Sequence, residues 1–172
     1  MNVLPTALPG VLIVEPQVWR DPRGYFFEVY HARKAAAKGL PESFVQDNES
    51  FSSRGTVRGL HSQVTKPQGK LVRVLAGAVL DVAVDIRRGS PTFGRWVAVE
   101  LSAENFRQLY IPPGFAHGFS VLSETAKVAY KCTDFYAPED EIGVLWNDPA
   151  LAIDWRVADP VLSKKDAVYP TL

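Results

Sequence analysis

The sequence predicts an all-β protein, either a sandwich or a small barrel, and three observations favour this fold class. Short apolar and aromatic segments recur from residue 44 to 133, and each has the length of a strand rather than of a helix. Within these segments, apolar and polar residues alternate, as in strands that bury one face. Turn-forming residues separate the segments at 76–77, 88–91, 102–105, 112–114 and 123–125.

Elements of a different character flank this region. Gly10 to Glu15 is typical of a short strand, and the turn Asp21-Pro22-Arg23-Gly24 leads into an aromatic strand from Tyr25 to Tyr30. Ala32 to Lys38 is the one segment with helical composition, and a glycine and a proline follow it. After Asp134, recurrent prolines indicate loops and short helices that wrap the barrel.

Strand alternation also predicts which polar side chains point inward. Successive residues of a strand face opposite sides, so Lys70 shares a face with two valines and Tyr130 with Val128. The same count places His117 beside Phe119. Burying three polar side chains without a function is costly, so their predicted convergence inside the barrel indicates a site.

Length and charge narrow the classes of function. A chain of 172 residues with 47% hydrophobic content suits a single domain spanning 1–172. Nineteen acidic residues balance nineteen lysines and arginines, which argues against nucleic-acid or membrane partners and favours a small molecule. Cys132 is the only cysteine, the N-terminus has no signal-peptide pattern, and no apolar run could span a bilayer. We therefore expect a cytoplasmic protein without a membrane segment.

A metal centre and a nucleophilic cysteine are both weakly supported. A common jelly-roll metal site needs two histidines one residue apart and a carboxylate, and His61-Ser62-Gln63 lacks the second histidine. His117, which ends the motif Pro112-Pro113-Gly114-Phe115-Ala116-His117, would be a ligand without partners. Cys132 lies on an apolar strand, where a lone cysteine usually packs as a small hydrophobe. The sequence predicts no bound metal.

Structural roles compete with catalytic ones for the other candidates. His61 follows Arg58-Gly59-Leu60, where the glycine favours a bulge that re-aims the histidine, and it is equally a candidate for a hydrogen-bonded core residue. Tyr130 fits a core aromatic. Lys70, among valines, must reach solvent, pair with a carboxylate, or await an anion or developing oxyanion. Asp166 ends Ser163-Lys164-Lys165-Asp166, which fits a helix capping box.

Ordered sequence blocks identify a family resemblance. From about Gly10 to Asp166 the chain resembles dTDP-4-dehydrorhamnose 3,5-epimerases. The matching blocks are Asp21 to Glu28, Gln46-Asp47-Asn48, Arg58-Gly59-Leu60-His61, Gln68 to Val74, Asp81 to Asp85, Ser90 to Gly94, Leu101 to Asn105, Gly114 to Phe119, Tyr130-Lys131 and Leu162 to Asp166.

The resemblance implies a fold, an activity and residue roles. It implies a jelly-roll, cupin-type barrel with a few short helices, which acts as a homodimer on dTDP-4-dehydro-6-deoxy-D-glucose without metal or cofactor, towards dTDP-L-rhamnose. His61 is then the general base, Asp166 its orienting carboxylate, Tyr130 the acid on the opposite sugar face and Lys70 the stabiliser of the enolate. The implied substrate-binding residues are Arg23, Phe26, Glu28, Gln46, Asp47, Asn48, Arg58, His117, Glu141 and Lys165, with Tyr136 stacking on thymine.

Two departures from the family pattern keep alternatives open. Glu49 stands where many relatives have histidine, and Ser62 stands where an aromatic residue is usual. Either departure can reshape the pocket, so the first alternative is a mono-epimerase, acting at carbon 3 or 5 of a related dTDP-4-keto-6-deoxy sugar. A non-catalytic sugar-binding jelly roll and a metal-dependent cupin oxygenase or isomerase are further alternatives; the latter predicts bound metal and inhibition by chelators.

Overall fold

The computed structural model describes all residues, Met1–Leu172, as thirteen strands, one short α-helix and two 3-10 helices. The strands are β1 (Asn2–Pro5), β2 (Leu12–Glu15), β3 (Val18–Asp21), β4 (Gly24–Phe27), β5 (Gln46–Ser53), β6 (Val57–Gln63), β7 (Lys70–Ala76), β8 (Ala78–Asp85), β9 (Trp96–Ser102), β10 (Gln108–Ile111), β11 (Phe115–Val121), β12 (Thr125–Cys132) and β13 (Glu141–Gly143). The helices are α1 (Ala32–Ala36) and the 3-10 helices Pro138–Asp140 and Asp166–Val168.

Two antiparallel sheets form the barrel. One has the strand order β1-β2-β10-β7-β12-β5, and the other β13-β6-β11-β8-β9. Their facing sides share one apolar core, to which the first sheet contributes Val72 and Val128 and the second contributes Val79 and Phe119. The predicted all-β jelly-roll architecture is confirmed, and the space between the sheets is where inward-facing polar side chains meet.

Smaller clusters cover the outer faces of both sheets. The C-terminal region, which is mostly irregular after β12, packs Val144 and Trp155 against the five-stranded sheet. Helix α1 places Ala35 against Leu71 and Tyr110 on the six-stranded sheet. The helix ends at Ala36, two residues earlier than predicted, and a turn continues to Gly39, whose φ is +81°.

The predicted bulge before His61 is present. In the pairing of β6 with β11, His61 lies opposite His117 and Arg58 lies opposite Phe119, so two residues of β6 face one of β11. Gly59 is needed there, because its φ is +111° and a Cβ would lie 2.5 Å from the Cα of Gly118. The bulge therefore fixes the register in which the two histidines meet.

A two-stranded hairpin, β3–β4, stands apart from both large sheets. Trp19, Tyr25 and Phe26 on it are 54%, 57% and 69% exposed, so its aromatic side chains lie largely outside the core of this chain. The predicted strand Tyr25 to Tyr30 ends sooner, at Phe27. No helix in the structure has the length and apolar character needed to cross a bilayer.

Candidate active site

The site lies between the two sheets, in two adjoining cavities of about 320 and 230 Å³. His61, Lys70 and Tyr130 line both cavities, and His117 lines the second. His61 belongs to β6 in the five-stranded sheet, whereas Lys70 and Tyr130 belong to neighbouring strands of the six-stranded sheet. The convergence of polar side chains predicted from strand alternation is therefore confirmed, and a histidine faces a tyrosine across the space between the sheets.

His61 and Asp166 form a hydrogen-bonded dyad. The Nε2 of His61 lies 2.6 Å from Oδ1 of Asp166, whose side chain is only 5% exposed. The backbone N–H of Asp166 donates to Oγ of Ser163 at 3.0 Å, but Lys165 and not Ser163 caps the 3-10 helix, and the Asp166 carboxylate binds His61, so the capping box that the sequence suggests does not form. Burial raises the pKa of Asp166, but the bonds from His61 and Ser163 outweigh burial and leave the pKa below its ordinary value.

Lys70 and Tyr130 occupy the opposite wall as neighbours. The Nζ of Lys70 lies 6.0 Å from the centroid of the Tyr130 ring. Burial lowers the pKa of the Lys70 ammonium, and the nearby Cys132, Asp81 and Glu141 oppose this shift. Burial likewise raises the pKa of Tyr130, so its phenol keeps its proton at neutral pH and can donate it. Cys132 is fully buried, as expected for a packing residue.

A second histidine–carboxylate pair lies behind the first. The Nε2 of His117 is 2.7 Å from Oδ1 of Asp81, and both side chains are almost completely buried. Burial lowers the pKa of His117, although Asp81 acts in the opposite direction. The other carboxylate oxygen of Asp81 has no hydrogen-bond partner. Sequence reasoning missed Asp81 as a site residue, and its signal was an acidic residue at an inward position of an apolar strand.

Seven of the eleven implied substrate-binding residues line these cavities, and a salt bridge links two of them, Glu141 and Lys165. The seven are Gln46, Asn48, Arg58, His117, Tyr136, Glu141 and Lys165. The cavity walls thus combine amides, cations and one exposed aromatic ring, a set suited to a charged, polar ligand with a flat group.

The other four residues lie elsewhere in the chain. Arg23 and Phe26 are on the exposed hairpin, where Arg23 pairs with Asp21 at 2.5 Å. Glu28 is exposed and pairs with Lys34 at 2.8 Å. Asp47 points to the outer face of β5 and pairs with Lys131 at 2.9 Å, because residues of a strand alternate between faces. The structure does not bring these four side chains into the cavities of their own chain.

The two departures from the family pattern differ in location. Glu49 lies 3.6 Å from Lys127 on the outer face of β5, outside both cavities. Ser62 lines the larger cavity beside His61. Only Ser62 is therefore placed to change the shape of the pocket.

No group of three or more His, Cys, Asp or Glu side chains is arranged to hold a metal ion. Each histidine of the site instead has a carboxylate at its Nε2 atom. What the arrangement offers is a base with an orienting carboxylate on one wall, with an ammonium and a phenol on the other. The fold and site define a jelly-roll enzyme equipped for proton transfer on both sides of a bound ligand.

Comparison with known proteins identifies the family. The family model described as dTDP-4-dehydrorhamnose 3,5-epimerase matches residues 5–172. A dTDP-4-dehydrorhamnose 3,5-epimerase of Pseudomonas aeruginosa is 59% identical over 168 residues, covering 96% of this chain and 93% of the relative. The chain therefore belongs to the dTDP-4-dehydrorhamnose 3,5-epimerase family, whose members are isomerases.

Solved structures agree with this assignment. The crystal structure of a dTDP-6-deoxy-D-glucose-3,5-epimerase of Legionella pneumophila, in complex with dTDP-4-keto-L-rhamnose, superposes with a TM-score of 0.96 at 53% identity. The match covers 99% of this chain and 92% of that one. A dTDP-4-dehydrorhamnose 3-epimerase of Streptomyces niveus is also similar, at 42% identity over 96% of this chain and 81% of the relative. The family thus includes a member named for inversion at one carbon.

Proposed function

We propose that this protein inverts carbons 3 and 5 of dTDP-4-dehydro-6-deoxy-D-glucose, by removing a proton from one face of the sugar and returning one to the other. The observation that carries the proposal is the position of His61 and Tyr130 on facing walls of one cavity. Inversion requires base and acid on opposite sides of the ring, so this placement suits epimerisation better than binding alone.

The ketone at carbon 4 makes the neighbouring hydrogens acidic only when the enolate oxygen is stabilised. His61 removes the proton from carbon 3 or 5, and the electron pair of the C–H bond moves to form the enolate. Lys70, whose ammonium is partly desolvated by burial, stabilises the negative charge on the oxygen at carbon 4 more strongly than a lysine in bulk water would. Asp166 holds the imidazole by its Nε2 atom, which leaves Nδ1 for the substrate.

Tyr130 completes the inversion from the other face. Its phenol gives a proton to the enolate carbon and recovers one from solvent, while His61 releases the abstracted proton, so each round leaves the enzyme unchanged. Two such rounds, one at each carbon flanking the ketone, invert both centres. The raised pKa of Tyr130 keeps the donor protonated between rounds.

The rest of the ligand has complementary groups in the cavity walls. Arg58 and Lys165 supply positive charge for the diphosphate, and Tyr136, 47% exposed at the rim, offers its ring to thymine. Gln46 and Asn48 face the same cavity, and Gln46 donates its side-chain amide to Oδ1 of Asn48 at 2.9 Å. These assignments rest on cavity position together with the family resemblance.

Deuterium uptake tests the proposal. In deuterated water with added chelator, the protein is expected to place solvent deuterium at both carbons 3 and 5, observed by NMR, with dTDP-4-dehydro-L-rhamnose as product. Label and inversion at only one carbon would instead support the mono-epimerase alternative. The structural reason for that alternative is Ser62, which departs from the family pattern and lines the cavity wall. Tight binding without label at either carbon would leave only a binding function.

We further propose that the working form is a homodimer whose β3–β4 hairpin serves the site of the other subunit. The hairpin carries Arg23 and Phe26, two implied substrate contacts that lie away from the cavities of their own chain. Its exposed aromatic rings, including Trp19, are the kind of surface that an interface between copies buries. A second copy explains how these residues reach a ligand.

Complementation tests this arrangement. Arg23→Ala and His61→Ala are each expected to be inactive or strongly impaired as homodimers. If the hairpin acts on the partner, subunit mixing yields one intact site in each heterodimer, which restores about a quarter of the wild-type activity. A molecular mass of one subunit, measured by light scattering, would contradict the proposal, and so would a mixture no more active than the two parent variants.

The cytoplasmic location stays a prediction from the sequence.

A further inference from the structure

A tyrosine near the C-terminus packs beside the proposed base. Tyr169 directly follows the 3-10 helix that begins with Asp166. Its ring centroid lies 5.7 Å from that of His61, and the two ring planes meet at 68°. Its hydroxyl donates to Oε1 of Glu141 at 2.7 Å. One side chain therefore contacts both the base and a residue of the cavity wall, while it lines neither cavity itself.

Gly143 provides the space that this ring occupies. Gly143 pairs with His61 across β13 and β6, so a side chain at this position would stand next to the histidine. A Cβ there would lie 2.4 Å from three carbons of the Tyr169 ring, a distance that requires the ring to move. Gly143 has no positive φ, so the ring and not the backbone conformation is what calls for glycine. Strand β13 and the C-terminal segment therefore pack against each other beside His61, the proposed catalytic base.

The segment that carries Tyr169 is anchored on both sides of the ring. Before it, Asp166 is bound to Ser163 and His61. After it, the carbonyl of Pro170 accepts from the backbone N–H of Leu145 at 2.8 Å, and the backbone N–H of Leu172 donates to Asp148 at 2.7 Å. These bonds fix the backbone on both sides of Tyr169, so they hold its ring in place against His61.

Charges around the ring favour a neutral, hydrogen-bonded phenol. Burial and the neighbouring Glu141 raise the pKa of Tyr169 to about 12, so at neutral pH the hydroxyl donates. Burial acts to raise the pKa of Glu141, but the bonds from Lys165 and Tyr169 outweigh it and leave the carboxylate charged. A charged acceptor makes a strong hydrogen bond, so Tyr169 restrains the direction of this carboxylate.

We propose that Tyr169 is a positioning residue with two effects. Its ring keeps the imidazole of His61 in the orientation that meets Asp166, and its hydroxyl aims Glu141 into the larger cavity. The first effect concerns proton transfer and the second concerns binding, so they separate in kcat and KM. The kinetic part of this inference rests on the proposed epimerase function, whereas the contact with His61 does not.

Two substitutions at Tyr169 separate the effects. Tyr169→Phe keeps the ring and loses one hydrogen bond to a charged group, so KM is expected to rise about tenfold while kcat stays within about twofold. Tyr169→Ala also removes the support of His61, so kcat is expected to fall about 10- to 100-fold, as for other outer residues that orient a catalytic group. Val168→Ala is the matched control, because Val168 is the adjacent residue and 77% exposed. Unchanged kcat in Tyr169→Ala would overturn the proposal.

Gly143→Ala tests the same contact from the other side. The added methyl group displaces the ring, so this variant is expected to lower kcat much as Tyr169→Ala does. The three atoms nearest to the added methyl group all belong to the Tyr169 ring, so once the ring is absent, Gly143→Ala/Tyr169→Ala is expected to be no slower than Tyr169→Ala alone. Additive losses in the double variant would contradict the idea that Gly143 acts through Tyr169.

The histidine NMR spectrum gives a readout that does not depend on activity. The chain has three histidines, so their ring signals are assignable by single substitutions. The His61 ring signals are expected to move in Tyr169→Ala and to stay near their positions in Tyr169→Phe, with those of His31 unchanged in both. Unmoved His61 signals in Tyr169→Ala would overturn the proposed contact. If Tyr169→Ala moves the His61 signals but the wild-type protein has no epimerase activity, the contact is supported and the proposed function is not.

Discussion

The imidazole of His61 and the carboxylate of Asp166 are 105 residues apart in sequence and 2.6 Å apart in space. The bulged strand β6 supplies the histidine, and a 3-10 helix in the last tenth of the chain supplies the aspartate. The base is therefore assembled only when the C-terminal region has packed against the five-stranded sheet. Stability of that packing and catalytic competence are linked in this fold.

Asp166→Asn removes the charge of the dyad and keeps its shape. The amide can present its N–H to the imidazole, which favours the wrong tautomer, and it does not stabilise the imidazolium that forms. We expect kcat to fall on the order of 100-fold or more, with little change in the affinity for dTDP measured by calorimetry. Asp159→Asn, an exposed site in the same region, is the control. A loss of less than about threefold would argue against an orienting role.

Lys70→Met keeps most of the side-chain volume and removes the ammonium. If Lys70 stabilises the enolate, the interaction exists mainly in the transition state, so kcat is expected to drop about 100-fold or more. Lys127→Met, at a half-buried lysine on the outer face of the sheet that pairs with Glu49, is expected to retain activity. The comparison is made by steady-state kinetics. A variant with normal kcat and raised KM would assign Lys70 to binding instead.

Asp85→Asn tests how much the hydrogen bonds at the end of strand β8 contribute to the stability of the fold. The Asp85 side chain is fully buried, pairs with Arg87 at 2.8 Å and accepts from Ser90 and Thr92 at 2.6 Å. Burial raises the pKa of Asp85, yet these bonds outweigh it and hold the pKa far below its ordinary value. We expect Asp85→Asn to lower the free energy of unfolding at pH 7 by roughly 2–4 kcal/mol.

The pH dependence of this loss follows from the direction of the shift. Because the pKa of Asp85 is lower in the folded chain, the unfolded chain binds protons first as the pH falls. The contribution is complete well above about pH 4, the ordinary aspartate value, and is lost progressively below it. Urea unfolding of both proteins at several pH values is expected to show a difference that narrows on acidification. A difference that is constant or grows in acid would contradict this explanation.

Strand patterning predicted much of the fold and the inner half of the site. Alternation alone placed Lys70, Tyr130 and His117 inside the barrel, because a period of two fixes which side chains share a face. The same rule separates Gln46 and Asn48 on the cavity side of β5 from Asp47 on its outer side. Residues on regular strands are thus accessible to prediction.

Long-range packing was not accessible in the same way. No spacing rule brings Asp166 to His61 or Tyr169 to Gly143, because an irregular segment places them. Strand β13 has only three residues, too few for a periodic pattern, and its edge pairing with β6 depends on tertiary contacts. For Arg23, the resemblance implied a substrate contact that one chain does not make by itself.

The most direct test of the central claim is a comparison of His61→Asn and Tyr130→Phe with dTDP-4-dehydro-6-deoxy-D-glucose in deuterated water. If His61 is the base and Tyr130 the acid on the opposite wall, His61→Asn takes up no deuterium. Tyr130→Phe is expected to exchange hydrogen for deuterium at carbon 3 or 5 with retained configuration, because His61 removes and returns the proton on one face. Exchange in His61→Asn at the wild-type rate, or inversion at the wild-type rate in Tyr130→Phe, would contradict the assignment of base and acid.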